Sequence, residues 1–191
     1  MIEEFIFKET FAVEFVLFII LRQHYIKKYV SNEDPLKAYP WYVTFLAVLS
    51  GVFFVIVPAI YVMSPFLDSF SLKLDDIIRI AGGLLFVLSI VFMWLVLREL
   101  NINFSPTADK RYVVKTGPYK IVRHPMYTVF MLQTIAQTLL SSNIFVLAGV
   151  PVILVFLIVR VTYEDQLLLK EFGYEYLTYK RSTKAFIPLI W

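Results

Sequence analysis

Long apolar runs separated by short polar segments organise this chain of 191 residues. A transmembrane helix needs about 20 consecutive apolar residues. Three runs meet that length clearly, at 41–63, 77–97 and 144–159. A shorter run at 126–140 and a first run at 5–21, which charged residues interrupt, bring the predicted number of spans to five.

Polar and small residues within these runs predict how the helices pack. Gln133 and Gln137 lie four apart, so on a helix they share one face, and that face is expected to point into the bundle. Gly82 and Gly83 favour close packing of two helices. The polar triplet 141–143 predicts a tight hairpin between the last two spans.

The C-terminal segment 163–179 alternates apolar and charged positions at roughly helical spacing, which predicts an amphipathic interfacial helix. Gly173 predicts a break in it, and the apolar tail 186–191 is expected to return to the membrane interface. The predicted fold is therefore an all-α integral membrane protein with about five transmembrane helices plus this C-terminal helix. We expect a single domain, 1–191, without a Rossmann unit, because no GxGxxG follows a predicted strand.

The amino-acid composition favours a membrane protein and excludes several kinds of functional site. Hydrophobic residues make up 59% of the chain, against about 45–50% in soluble domains. The absence of cysteine excludes disulfides, thiolate zinc sites and a cysteine nucleophile, and with only two histidines no metal site is expected.

The basic residues predict the orientation of the chain in the membrane. Fifteen of the eighteen lie in three segments, 22–40, 98–125 and 160–191, which five spans would place on one side. The positive-inside rule then predicts a multi-pass protein whose N-terminus is outside and whose C-terminus and active site are cytoplasmic. This distribution fits a membrane protein, and no nucleic-acid partner is expected.

Two polar clusters are candidates for chemistry. The first is the turn-prone segment 117–127, which ends at a helix start where free amides favour an anionic group. The second is Arg160 with Glu164, which share a helix face; Arg160 is suited to hold a carboxylate and Glu164 to face a cation. Asp165 is expected to point elsewhere and to be solvated. An interfacial anchoring loop and a plain intrahelical ion pair remain open alternatives.

At these residues the chain resembles the isoprenylcysteine carboxyl methyltransferase family of integral membrane methyltransferases. The resemblance covers about 101–191, and Asp165 stands where that family usually has a second glutamate. Four elements carry it: Val113-Val114-x-x-Gly117-x-Tyr119, Arg123-His124-Pro125-x-Tyr127, Arg160-x-x-x-Glu164-Asp165 and Phe172-Gly173-x-x-Tyr176-x-x-Tyr179.

The resemblance implies an enzyme that transfers a methyl group from S-adenosylmethionine to the carboxylate of a lipophilic or lipid-modified acceptor. Arg160 would bind the acceptor carboxylate, and Arg160 and Glu164 would be the catalytic pair. Membrane lipids are the other expected partners. The implied cofactor-binding residues are Arg111, Tyr112, Val113, Val114, Tyr119, His124, Pro125, Met126, Tyr127 and Glu164.

Other functions stay open at this point. A phospholipid or amine N-methyltransferase is the nearest alternative, although Arg160 would repel a cationic acceptor. An NADPH-dependent reductase of sterol-type lipids is a further one, since such enzymes also carry an RHP motif followed by a tyrosine. A membrane scaffold without enzymatic activity is the third.

Overall fold

Helices form every regular element in the parts of the chain that a computed structural model describes, residues 3–29, 39–100 and 112–187. A π-helical turn joins the second and third helices, and two 3₁₀ turns precede the fourth and fifth. The elements are α1 (Glu4–Tyr29), α2 (Trp41–Gly51), the π turn (Val52–Ile56), α3 (Val57–Met63), a 3₁₀ turn (Pro65–Phe70), α4 (Asp76–Leu100), a 3₁₀ turn (Gly117–Lys120), α5 (Pro125–Ser141), α6 (Ile144–Leu147) and α7 (Gly149–Ser182).

Three helical stretches in the described residues are long and apolar enough to cross a membrane: Trp41–Met63, Asp76–Leu100 and Ile144–Ser182. They contain the three clearest predicted spans. Large apolar side chains such as Trp41, Met63 and Leu84 are exposed on the outer surface, as expected for helices that face lipid. The helix α1 is long enough but carries several charges, and α5 has 17 residues, so five spans remain a prediction.

The stretch Trp41–Met63 is continuous but not uniform. Proline at position 58 has no amide hydrogen, and its ring would clash with the carbonyl one turn earlier in a regular α-helix. The chain widens into the π turn Val52–Ile56 just before this proline. A π turn of this kind takes up the distortion without ending the helix.

The helices α4 and α5 pack most closely around Gly82. A Cβ atom at Gly82 would lie 2.6 Å from the backbone nitrogen of Leu140, so only glycine permits this approach. The side chains of Gln133 and Gln137 are fully buried, and Ser89 of α4 donates a hydrogen bond to Gln133. The predicted inward face of α5 and the close packing at Gly82 are both confirmed.

The predicted hairpin after α5 is also confirmed. Ser142 adopts the left-handed conformation at the C-terminal end of α5, with φ of 50°. Asn143 then caps the next helix by accepting a hydrogen bond from the amide of Phe145 at 3.0 Å. This turn lets α5 and α7 run in opposite directions, so the start of α5 lies near the C-terminal part of α7.

The helix α7 extends well past its apolar part, through the segment predicted to be amphipathic. Gly173 interrupts it with φ of 55° and ψ of −127°, which confirms the predicted break. An interfacial position for the segment beyond Arg160 remains a prediction. This extension brings Asp165, Tyr176 and Lys180 back against the loop that precedes α5.

Candidate active site

The loop before α5 is held between two helix ends. Gly117 has φ of 53°, which confirms the predicted turn and starts the 3₁₀ turn Gly117–Lys120. Thr116 donates a hydrogen bond to Glu99 near the end of α4. Lys115 Nζ lies 2.7 Å from Glu175 Oε1 on α7. Both contacts position the chain just upstream of the predicted site.

The C-terminal segment supplies the second support of this loop. The amides of Arg123 and His124 donate to the carbonyls of Lys184 and Ala185, both at 2.8 Å. The side chain of Phe186 is buried in an apolar cluster with Tyr127. The start of the tail therefore packs into the bundle, and its prediction as an interface segment is wrong for this residue. Residues 188–191 lie outside the described part of the chain.

Asp165 is the centre of a buried polar network, which corrects the expectation that it is solvated. Its carboxylate accepts from Arg123 Nη2 at 2.8 Å and from the Tyr176 hydroxyl at 2.5 Å. Lys180 Nζ lies 3.0 Å away, and His124 Nε2 lies 2.8 Å away. The helix α7 bends at Gly173. The loop before α5 and the last turns of α7 then cover the side of the helix that carries Asp165.

This network orients His124. An ionised carboxylate can only accept hydrogen bonds, so the imidazole donates to Asp165 through Nε2. The other ring nitrogen, Nδ1, then faces Glu164 Oε2 at 3.7 Å. The ring also stacks on Tyr127, with centroids 5.5 Å apart and planes 14° from parallel. His124 and Tyr127 thus form a flat aromatic surface beside the Glu164 carboxylate.

Arg160 and Glu164 form the second polar group of the site. Arg160 Nε donates to Glu164 Oε1 at 2.8 Å and also approaches the Tyr127 hydroxyl at 3.1 Å. The two side chains keep 21% and 23% of their surface exposed, whereas Asp165 keeps 4%. Both charges of this pair therefore remain accessible from outside the protein.

Tyr39 completes this group, and the sequence analysis missed it. Its hydroxyl accepts from Arg160 Nη2 at 3.1 Å and donates to Glu164 Oε1 at 3.4 Å, while the Arg160 guanidinium lies 4.4 Å from the centre of its ring. Burial, together with the negative charge of Glu164, raises the pKa of Tyr39 to about 12, so the phenol stays protonated. The sequence placed Tyr39 only on the same predicted side as the site.

The structure brings together four of the residues that the sequence singled out: His124, Tyr127, Arg160 and Glu164. Pro125, at the first position of α5, and Met126 follow His124 directly, so the backbone keeps both beside them.

The remaining predicted cofactor residues lie in different surroundings. Val114 and Tyr119 are buried in the main apolar core, where burial raises the pKa of Tyr119 well above its usual range. Tyr112 is exposed and Val113 is half-buried. Arg111 lies outside the described residues. A role of Tyr112, Val113, Val114 and Tyr119 in cofactor binding therefore stays a prediction.

Comparison with known proteins finds a family whose sequence model matches part of this site. The sequence model described as the isoprenylcysteine carboxyl methyltransferase (ICMT) family matches residues 82–170. That range contains α5, the buried Asp165 and the Arg160–Glu164 pair. The match covers a little under half of the chain, and over this range the chain is similar to the isoprenylcysteine carboxyl methyltransferase family.

Two curated proteins that this chain resembles come from Arabidopsis thaliana. Protein-S-isoprenylcysteine O-methyltransferase A is 30% identical over 92 residues, which is 48% of this chain and 45% of the relative. Protein-S-isoprenylcysteine O-methyltransferase B is 30% identical over 79 residues, or 41% of this chain and 40% of the relative. The chain thus matches less than half the length of these relatives.

Some residues that contact the site in the structure lie outside the range that matches the family model. Tyr39 precedes the matched range, and Tyr176, Lys180 and the tail residues follow it. The matched range holds the charged pair and the aromatic surface, whereas these flanking residues hold them in place.

Proposed function

We propose that this protein transfers the methyl group of S-adenosylmethionine to the carboxylate of a lipophilic, isoprenylcysteine-like acceptor. The partial match to the family and the names of the two relatives support methyl transfer to an acceptor of this class. Helices that are apolar enough to span a membrane suit an acceptor that is dissolved in lipid.

The observation that carries the proposal is that the Arg160–Glu164 pair is accessible, whereas the neighbouring Asp165 is buried and fully hydrogen-bonded. A carboxylate with four polar partners has no capacity left for a ligand, so Asp165 serves the fold. Glu164 and Arg160 each keep about a fifth of their side-chain surface exposed. A site that must bind one anion and one cation needs such a pair of opposite and reachable charges.

The residues present fit the cofactor. S-adenosylmethionine is cationic at its sulfonium and its amino group, which matches the Glu164 carboxylate, and its adenine ring matches the stacked surface of His124 and Tyr127. When bound, it supplies a methyl group that passes to a carboxylate oxygen as the sulfonium becomes a neutral thioether. We keep the full predicted cofactor set in the proposal, with Glu164, His124 and Tyr127 as its centre: Arg111, Tyr112, Val113, Val114, Tyr119, His124, Pro125, Met126, Tyr127 and Glu164.

Arg160 would bind and orient the acceptor carboxylate. Its guanidinium presents a planar set of donors that matches a carboxylate, and the ring of Tyr39 and the hydroxyl of Tyr127 hold it in position. Since a carboxylate is already ionised, no residue has to remove a proton from it. The protein's contribution is then alignment of the two reactants and exclusion of water.

Ligand binding would replace the contact between Arg160 and Glu164 by two intermolecular ones. The acceptor carboxylate takes the place of Glu164 beside Arg160, and the cationic cofactor takes the place of Arg160 beside Glu164. The net charge of the group is unchanged by this exchange, so neither charge is left uncompensated. The acceptor would enter laterally from lipid and S-adenosylmethionine from the cytoplasm.

Calorimetric titration of the purified full chain tests the cofactor. We expect S-adenosylmethionine and its demethylated product S-adenosylhomocysteine to bind, and we expect Glu164→Gln to weaken binding of the sulfonium form by about ten-fold or more, equal to about 1.4 kcal/mol. Glu175→Gln is a matched control, because Glu175 is an exposed carboxylate on the same helix. Binding of NADPH in place of both compounds would contradict the proposal.

A further inference from the structure

A second, apolar crevice lies between α1 and α4, at the other end of the bundle from Arg160. It has a volume of about 260 Å³ and opens between exposed side chains of the two helices, among them Leu84 and Val87. Leu140 at its inner end is 15 residues along α5 from the start of that helix, roughly 22 Å at 1.5 Å per residue. Its lining includes Phe7, Thr10, Glu14, Ile80, Gly83 and Leu140.

Glu14 is the one charged side chain in the lining of this mostly apolar crevice; Thr10 is also polar, and its hydroxyl donates to the carbonyl of Ile6. The residue is 8% exposed, and within the described residues its Oε2 atom is buried without a hydrogen-bond partner. A Cβ atom at Gly83 would lie 3.7 Å from Glu14 Oε1, so the absence of a side chain at Gly83 leaves space in front of the carboxyl group. The carboxyl group therefore faces the inner part of the crevice.

Two basic side chains of the lining helices, Arg79 and Lys8, are already engaged with other carboxylates. Arg79 forms two hydrogen bonds with Glu4, at 2.6 and 2.9 Å. Lys8 Nζ lies 2.5 Å from Asp68. An ionised carboxylate buried without a counterion is strongly unfavourable, and a cationic ligand from outside the chain would supply the counterion that Glu14 lacks among the described residues.

The lining defines the rest of such a ligand. Leu84, Val87 and Ile80 offer an alkyl chain a continuous apolar surface that is open to lipid. A phospholipid headgroup fits poorly, because its phosphate would bring a second negative charge next to Glu14. The charge and shape together select a molecule with one long alkyl chain and one terminal cation.

We propose that the crevice between α1 and α4 binds a long-chain primary amine, whose ammonium group pairs with Glu14 and whose alkyl chain lies along α4. This site is separate from the methyl-transfer site and does not depend on the proposed function.

Photolabelling of the full chain in phosphatidylcholine nanodiscs tests the proposal. The probe is hexadecylamine that carries a diazirine midway along its chain, and the labelled peptides are identified by mass spectrometry. We expect saturable labelling in α1 and α4 that unlabelled hexadecylamine displaces. Hexadecanol, which has the same length and no charge, is expected to displace the probe at least ten-fold less effectively.

A matched pair of variants separates the site from general attraction of amines to the protein. Glu14→Gln keeps the shape of the side chain and should weaken probe binding at least ten-fold. Glu9→Gln removes an exposed carboxylate from the same helix and should leave labelling unchanged. Unchanged labelling of Glu14→Gln, or equal displacement by hexadecanol, would overturn the proposal. Methyl-transfer activity is irrelevant to either result, so failure here leaves the proposed function standing.

Discussion

Glu164 and Asp165 are neighbours in sequence with opposite environments. Successive residues of a helix point about 100° apart, so one carboxylate faces Arg160 and the other faces Arg123, His124 and Tyr176. The first remains partly exposed, whereas the second is sealed. This separation assigns ligand binding to Glu164 and support of the loop to Asp165.

Replacing Arg160 tests the role of the charged pair at this scale. Arg160→Ala should reduce methyl transfer to background, because nothing else in the group presents a planar set of donors to the acceptor carboxylate. Binding of S-adenosylmethionine should be kept or strengthened, because Glu164 loses its competing partner. The measurements are turnover with labelled cofactor and calorimetric binding.

Arg160→Lys is the matched control, since it keeps the charge but lacks the planar fork. It should bind cofactor like the native protein and retain partial turnover. Full turnover of Arg160→Ala would remove Arg160 from the site.

Replacing Asp165 should act on stability. Asp165→Asn leaves the largely buried Arg123 without its counterion and removes the carboxylate that pairs with the more exposed Lys180. Loss of one partner from a buried charge network costs about 3–5 kcal/mol, which is measured as the change in the free energy of unfolding in detergent. The exposed pair Lys115–Glu175 supplies the comparison, since Glu175→Gln should cost less than about 1 kcal/mol. Equal effects of the two variants would show that the Asp165 network does not stabilise the fold.

Among the helices, the contact between α4 and α5 sets the position of the first part of the site, the start of α5. The start of α5 carries His124 and Tyr127, and the close approach at Gly82 sets the position of this helix against α4. A displacement of α5 along or away from α4 would move the aromatic surface relative to Arg160 on α7.

Gly82→Ala tests this contact. The added Cβ would lie 2.6 Å from a backbone nitrogen of α5, so the helices must separate, at about 1–3 kcal/mol for overpacking. Gly51→Ala is the control, because no atom of the described residues beyond its own stretch of helix lies within 4 Å of its Cβ position, and alanine there should be neutral or slightly stabilising. The readout is the unfolding transition of both variants, and an equal shift would contradict the packing argument.

Several elements were predictable because their cause is local. Apolar length predicted the three clearest spans, the glutamines predicted the inner face of α5, and glycine predicted the turn at 117 and the break at 173. The π turn before Pro58 was not predicted, since a proline within a helix can also produce a kink. Which of the two distortions forms at a proline depends on how the surrounding helices pack.

The parts of the site that sequence analysis missed depend on contacts between distant segments. Tyr39 reaches Arg160 across 121 positions of the chain, and no periodicity or spacing marks it. The burial of Asp165 and of Phe186 follows from the tail that packs back on the loop before α5. An amphipathic pattern shows that a segment has a polar face, but it does not show what covers that face.

At the scale of the whole molecule, the bundle has two distinct polar ends. One end carries the Arg160–Glu164 pair, and the other carries the network of Glu4, Arg79 and Tyr61. The basic residues concentrate on the first side, which predicts that the site faces the cytoplasm.

Single cysteines test this orientation, since the native chain has none. Ser69→Cys lies on an exposed turn at the far end and Lys170→Cys on an exposed part of α7. In sealed right-side-out vesicles, a membrane-impermeant maleimide should label position 69 and not position 170. Inverted vesicles are the control and should reverse the result. Labelling of both positions from one side would contradict the predicted topology.

The central claim is methyl transfer to a carboxylate. The most direct measurement incubates the full chain in nanodiscs with S-adenosylmethionine labelled in its methyl group and an N-acetylated S-prenyl cysteine. Mild base then releases labelled methanol from any methyl ester that has formed. We expect base-labile label with this acceptor and none with its carboxamide. Label that resists base, or equal transfer to the carboxamide, would contradict carboxyl methylation by this site.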